Sequence, residues 1–199
     1  MNKIKNKRIF ILPVLITAAG VLILYDFFDR NFLDIYHIAE RFILNRRLII
    51  PDVFNLKYLV LFSGLILMSI TDMLFERIHR FIPLFLMLAG LLFAYLANKP
   101  LINAFEALGI GLGLFILIDI SRLGFYATGD VLSAGAIGIF VGRKDIVIIS
   151  VLAIILGRLI THFSVKIDGV FDKSKVKQFH MAFVPVLFLV AAILFKVSY

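Results

Sequence analysis

The sequence predicts an all-α membrane protein, a bundle of about seven transmembrane helices with one amphipathic helix at the membrane interface. Hydrophobic residues make up 62% and charged residues 17% of the 199 residues, whereas soluble domains contain roughly 45–50% and roughly 25%. The mean hydropathy is correspondingly high, at +1.04. These values exclude a soluble globular domain, a disordered chain and a nucleic-acid-binding module.

Apolar runs that are long enough, or nearly long enough, to cross a bilayer recur along the chain. The first run follows a basic N-terminus and continues past small residues that resemble a cleavage site, so it predicts an uncleaved signal anchor. The fifth run is short and rich in small residues, which allow close helix packing. The seven runs are Ile9–Phe28, Tyr58–Phe75, Phe81–Ala97, Leu101–Ile120, Asp130–Val141, Ile146–Phe163 and Met181–Val197.

Between the first two runs, apolar side chains recur at helical spacing from Phe32 to Ile43, with charged residues between them. This pattern predicts an amphipathic helix that either lies in the interface plane or caps the end of the bundle. The chain therefore divides into an N-terminal segment, residues 1–57, with the signal anchor and the amphipathic helix, and a six-helix core, residues 58–199.

Basic residues between the apolar runs set the predicted orientation. Lys and Arg are slightly more numerous on the side of the N-terminus, which predicts a cytoplasmic N-terminus in a multi-pass protein. The pI near 9.8 then reflects membrane orientation rather than nucleic-acid binding. The chain has no cysteine, which excludes disulfides, Cys-ligated zinc and a thiol nucleophile.

Two aspartates stand out among the ionisable residues of the apolar runs. Inserting a charged residue into the membrane within such a run costs a few kcal/mol. Asp72 lies about one turn before the cytoplasmic end of the second run, and Asp130 opens the fifth run. Both fall near the cytoplasmic boundary, so the two carboxyl groups can meet there. Such a pair shares a proton, and one member then acts as general base while the other acts as general acid. Alternatively, each aspartate caps a helix or pairs with Arg77, Arg80 or Arg122.

For three further ionisable residues in the apolar runs, the sequence context gives weaker support for a catalytic role. Asp119 precedes Arg122 and is interpreted as its partner or as a boundary residue. Glu106 lies near the outer end of its run. Arg158 lies well inside the sixth run and therefore needs a partner, either in a structural salt bridge or in support of an active-site loop. A proton or ion path in a small transporter is the alternative function, although the chain shows no repeated halves.

Two motifs around these aspartates resemble those of the type IV prepilin peptidases. Gly129-Asp130, in a Gly-containing loop before an Ala/Gly-rich helix that ends at Gly142, resembles the second catalytic motif of that family. Thr71-Asp72 with the downstream Ile82-Pro83 resembles the first motif. The segment around Pro185 resembles the closing helix of the family, and the resemblance as a whole covers roughly Tyr58 to Val197.

The resemblance implies an aspartic endopeptidase of the bacterial inner membrane. It implies that the enzyme removes the short basic leader from prepilin or pseudopilin-like precursors at the cytoplasmic face, with the lipid bilayer and the precursor as partners. It implies no cofactor, no metal and no nucleic acid, and the absence of cysteine implies a short form without the zinc-binding and methyltransferase portion. The implied catalytic pair is Asp72 and Asp130, and the implied supporting or substrate-binding loop contains Gly124, Tyr126, Thr128 and Gly129.

Three features of the sequence depart from the usual family pattern. Ala127 replaces a glycine, Leu132 stands where a lysine is common, and the segment from Asp72 to Pro83 is longer than usual. Loss of a glycine removes backbone freedom from the loop before Asp130. These departures leave a non-catalytic, pilin-binding scaffold of the same fold as the alternative.

Overall fold

The computed structural model describes residues 13–25, 50–75, 78–120, 128–167 and 183–198. Every regular element in these ranges is an α-helix, which confirms the predicted all-α class for the described part of the chain. The helices are α1 (Pro13–Tyr25), α2 (Ile50–Phe75), α3 (Phe81–Leu96), α4 (Leu101–Ile120), α5 (Thr128–Val141), α6 (Arg143–Ile167) and α7 (Val184–Ser198).

The helices form where the predicted apolar runs lie, with one clear difference at the start of α2. This helix begins at Ile50, before the predicted start at Tyr58. Asp52 and Asn55 interrupt the apolar run there, but they do not interrupt the helix. The reason is that proline and acidic residues are favourable in a first helical turn, where Pro51 and Asp52 stand.

A residue with a positive φ follows α3, and another separates α5 from α6. Asn98, just after α3, has a φ of 51°, a left-handed conformation that asparagine tolerates better than most residues. Gly142, between α5 and α6, has a φ of +99°, which strongly favours glycine. The direct junction at Gly142 lets α6 return along the bundle immediately after α5.

Close packing between α4 and α5 forms the most extensive helix pair in the described bundle. A Cβ added to Gly111 would lie 2.6 Å from the Ala134 carbonyl oxygen, and a Cβ added to Gly138 would collide with the Ala107 carbonyl oxygen. Small residues therefore let the two backbones approach directly. On the other side of the core, α7 packs against α2, where the Phe62 ring lies 5.3 Å from that of Phe195.

Two of the described helices are long and apolar enough, by length and composition, to cross a membrane: Leu56–Phe75 and Leu101–Ile118. The predicted bundle of seven spans is therefore not confirmed, because α1, α3, α5 and α7 are shorter and α6 is not among the described helices that meet this criterion. Side chains on the outer face of α3 are apolar and exposed at helical spacing, as lipid contact requires: Phe81, Phe85, Leu88 and Leu92.

Some predictions fall outside the described residues. The predicted amphipathic helix from Phe32 to Ile43 lies there. The division at residue 57 stays a prediction.

Candidate active site

Asp72 lies in the last turn of α2 and is buried, with 9% of its surface exposed. The backbone N–H of Val184 donates a hydrogen bond of 3.3 Å to its Oδ2 atom. Val184 is the first residue of α7, so the carboxyl group caps the N-terminus of that helix, where the helix dipole favours a negative charge. The predicted capping role of Asp72 is therefore present, and the cap fixes the position of the carboxyl group.

Asp130 lies in the first turn of α5 and is also buried, with 7% of its surface exposed. One turn further along α5, the Ser133 hydroxyl donates a hydrogen bond of 2.7 Å to the Gly129 carbonyl oxygen. The small residues of this helix place its backbone deep in the bundle, and most of its residues are buried. A buried ionisable residue at a helix N-terminus is an unusual arrangement that needs a chemical or structural reason.

A contact between α2 and α5 places the two aspartates at the same end of the bundle. The Ser133 Oγ lies 3.3 Å from the Met68 Sδ. Met68 is one turn before Asp72, and Ser133 is about one turn after Asp130. Because α2 ends where α5 begins, the next turns beyond this contact carry the two carboxyl groups. We call this end of the bundle, with the last turn of α2 and the first turns of α5 and α7, the aspartate end.

A second contact fixes the start of α5 at the aspartate end. A Cβ added to Gly129 would lie 2.7 Å from the Cβ of Ile78, in the connection between α2 and α3. Gly129 is helical, and Gly142 is the glycine with a positive φ among the described residues. The resemblance places Gly129 in a loop, whereas in the structure it lies in α5, where its small size allows close approach to Ile78.

We expect Gly129→Ala to reduce activity because the added methyl group pushes the start of α5, with Asp130, away from the connection after α2. The Ile78 Cβ is bonded directly to the backbone, so a rotamer change does not relieve the collision. The resemblance to the prepilin peptidases implies that Asp130 is catalytic, so we expect a loss in the cleavage rate of about 10²-fold, as for a misplacement of about 1 Å. Cleavage of a prepilin-type precursor in membranes measures it.

The double variant Gly129→Ala/Ile78→Gly removes the colliding atom and is the control for this prediction. It should recover most of the lost activity. Equal loss in the single and the double variant would show that the contact does not position Asp130.

The structure places the other predicted site residues as follows. Thr128 is the exposed first residue of α5, while Gly124 and Tyr126 lie outside the described residues. Asp119 lies in the last turn of α4. The Phe115 ring, one turn earlier, lies 5.6 Å from the ring of Phe183, which directly precedes α7, so this end of α4 is also at the aspartate end.

Glu106 is not brought to the aspartates. Glu106 pairs with Arg143 at the opposite end of the bundle, with 2.6 Å between Oε2 and Nη1, and both side chains are about half exposed. Such an exposed pair contributes about 0–1 kcal/mol to stability. Arg158 is exposed on α6. The position of Glu106 near the outer end of its apolar run did not predict the ion pair with Arg143.

Sequence reasoning also missed Met68, Ser69, Ser133 and Val184. Ser69 is fully buried, three residues before Asp72, and its hydroxyl has no hydrogen-bond partner among the described residues. Buried hydroxyl groups of this kind commonly bind ordered water. For Met68, Ser69 and Ser133 the available signal was helical spacing, since residues three or four positions from each aspartate share its helix face. The described residues contain no group of three or more His, Asp and Glu side chains arranged to hold a metal ion.

The family comparison covers the central part of the chain. A model of the type IV leader peptidase family matches residues 59–162, a range that contains both aspartates, Gly129 and the contact between Met68 and Ser133. No curated protein and no solved structure gives a match.

Proposed function

The chain belongs to the type IV leader peptidase family, and from this premise we propose that it is an aspartic endopeptidase with Asp72 and Asp130 as its catalytic pair. The family and the two long apolar helices indicate a membrane peptidase that acts on a prepilin-like substrate. The observation that carries the proposal is the burial of two carboxyl groups at the same end of the bundle, each about one turn from the contact between Met68 and Ser133.

In the proposed reaction, one carboxyl group is ionised and the other is protonated, because two close carboxylates do not both ionise easily. The ionised group takes a proton from water as the water oxygen attacks the carbonyl carbon of the scissile peptide bond. The protonated group donates a hydrogen bond to the carbonyl oxygen. When the C–N bond breaks, a carboxyl group gives a proton to the leaving amine.

The proposed substrate is a type IV prepilin or pseudopilin-like precursor, which has a short basic leader followed by an apolar helix. The proposed cut falls at the junction of the two, at the cytoplasmic face of the bacterial inner membrane. The aspartate end supports this geometry, since Asp72 lies in the last turn of the apolar helix Leu56–Phe75. A site at that depth meets the junction while the apolar helix of the substrate stays in the lipid.

Cleavage of a precursor tests the proposal. The full chain is co-expressed with a prepilin-type precursor from the same genome, and the product is identified by mass and N-terminal sequencing. We expect a mature product that lacks the basic leader. A matched precursor with a bulky residue in place of the glycine before the cut should stay uncleaved.

A precursor that stays at full length, with the chain present at normal levels in the membrane, would contradict the proposed activity. Binding of the uncleaved precursor in that experiment would favour the pilin-binding scaffold instead.

A further inference from the structure

A cavity of about 330 Å³ lies at the end of the bundle opposite the aspartates. It is enclosed by the start of α2, the connection between α3 and α4, and the end of α5. The apolar part of its lining, which we call the apolar side, includes Ile139 and the rings of Phe93 and Phe140, whose centroids are 6.3 Å apart. The polar part of its lining, which we call the polar side, consists of Lys57, Lys99 and Asn103. The lining of the cavity therefore combines polar and hydrocarbon groups.

Both charged side chains among the described lining residues are lysines. Lys57 is partly buried, and its ammonium group lies 5.1 Å from the centroid of the neighbouring Tyr58 ring. The positive charges of Lys57 and Lys99 also repel each other. Lys57 is partly buried and Lys99 is exposed. Because the two like charges are unfavourable together and burial adds to this cost at Lys57, an anion held between them would stabilise both.

The first turn of α4 adds to the positive potential on the polar side. Pro100 and Asn103 line the cavity, and α4 begins between them at Leu101. The first N–H groups of a helix have no partner within the helix, and the dipole makes this end positive. The lysine pair and this helix start therefore favour the same kind of ligand, a compact anion such as a phosphate group.

We propose that this cavity binds an anionic phospholipid, with the lipid phosphate between Lys57 and Lys99 and the start of its acyl chain along the apolar side. The same phosphate chemistry occurs in soluble phosphate esters, but the apolar side of the cavity offers those nothing to contact. The outer face of α3 also supports a lipid, because Leu88 and Leu92 on it are apolar and exposed. The site is separate from the catalytic pair and does not depend on the proposed peptidase activity.

The test measures lipid binding to the purified full chain in a neutral detergent, by native mass spectrometry and by thermal melting. The probes are phosphatidylglycerol, phosphatidylcholine, glycerol phosphate and inorganic phosphate. We expect phosphatidylglycerol to bind and to raise the melting temperature, with at least tenfold weaker effects from the other three. Lys57→Gln and Lys99→Gln should each weaken binding about fivefold, the contribution typical of one basic residue at an anionic lipid.

Two variants keep the test independent of folding defects. Lys144→Gln removes an exposed lysine that is not among the lining residues, and it should bind phosphatidylglycerol like the wild type. Lys57→Arg/Lys99→Arg keeps both charges and should retain binding. Equal binding of phosphatidylcholine, binding of soluble phosphates as tight as that of the lipid, or unchanged binding in Lys57→Gln/Lys99→Gln would each overturn the proposal.

Discussion

Asp72→Asn and Asp130→Asn should each reduce leader cleavage by about 10²–10⁴-fold, the usual contribution of a general acid or base. Asparagine keeps the size and a hydrogen-bond acceptor for the Val184 N–H, but it carries no ionisable proton. The loss should therefore be chemical rather than structural. Cleavage of a prepilin-type precursor in membranes, normalised to the amount of peptidase, measures it.

Two controls make this result specific to the pair. Asp145→Asn changes an exposed aspartate in the first turn of α6, at the end opposite the pair, and should leave cleavage within about twofold of wild type, as for surface substitutions generally. Asp72→Asn/Asp130→Asn should be no worse than either single variant, because residues that act as a unit are strongly non-additive. Full activity in either single variant would remove that residue from the catalytic pair.

Gly111→Leu should strongly destabilise the protein because it forces α4 and α5 apart. The atom that a new Cβ would meet is the Ala134 carbonyl oxygen at 2.6 Å, and a backbone atom cannot rotate out of the way. Overpacking of this kind costs about 1–3 kcal/mol and sometimes more. The displacement of α5 also moves Asp130, so cleavage should fall together with the melting temperature. Thermal unfolding in detergent, followed by far-ultraviolet circular dichroism, measures the first effect.

The matched control for Gly111 is another glycine on the same helix. Gly109 is exposed, and nothing lies within 4 Å of an added Cβ. Gly109→Leu should therefore leave stability unchanged or raise it, since leucine is the better helix former by close to 1 kcal/mol. A similar melting temperature for the Gly111 and Gly109 variants would show that close packing of α4 on α5 does not hold the bundle together.

Individual helices were predictable from the sequence because their apolar runs are long and bounded by polar or turn residues. The start of α5 at Thr128 illustrates this, since the predicted run began two positions later, at Asp130. The start of α2 was less predictable because Asp52 and Asn55 reduce hydrophobicity without opposing the helix. Hydrophobicity reports burial or lipid contact, and it is a weaker guide to where a helix ends.

The contacts that build the site were less predictable than its two aspartates. An ionisable residue in an apolar run is conspicuous, so Asp72 and Asp130 were identified directly. The Val184 amide, in contrast, is a backbone group more than a hundred residues from Asp72, and no side-chain pattern marks it. Gly129 was identified, but as part of a loop rather than for close approach to Ile78, because glycine serves both purposes.

The length of α5 has a consequence for the surrounding bilayer. Its 14 residues span about 21 Å at 1.5 Å per residue, roughly 9 Å less than a hydrocarbon core about 30 Å thick. Exposed Arg143 and Lys144 follow directly, and in the proposed membrane peptidase we expect them to anchor the far end of the helix at the polar interface. The shortfall would then fall at Asp130, so we expect a recess below the lipid headgroups or a locally thinned bilayer there. Membrane thickness thus becomes a determinant of how water and substrate reach that carboxyl group, and lipids with longer chains would deepen the recess.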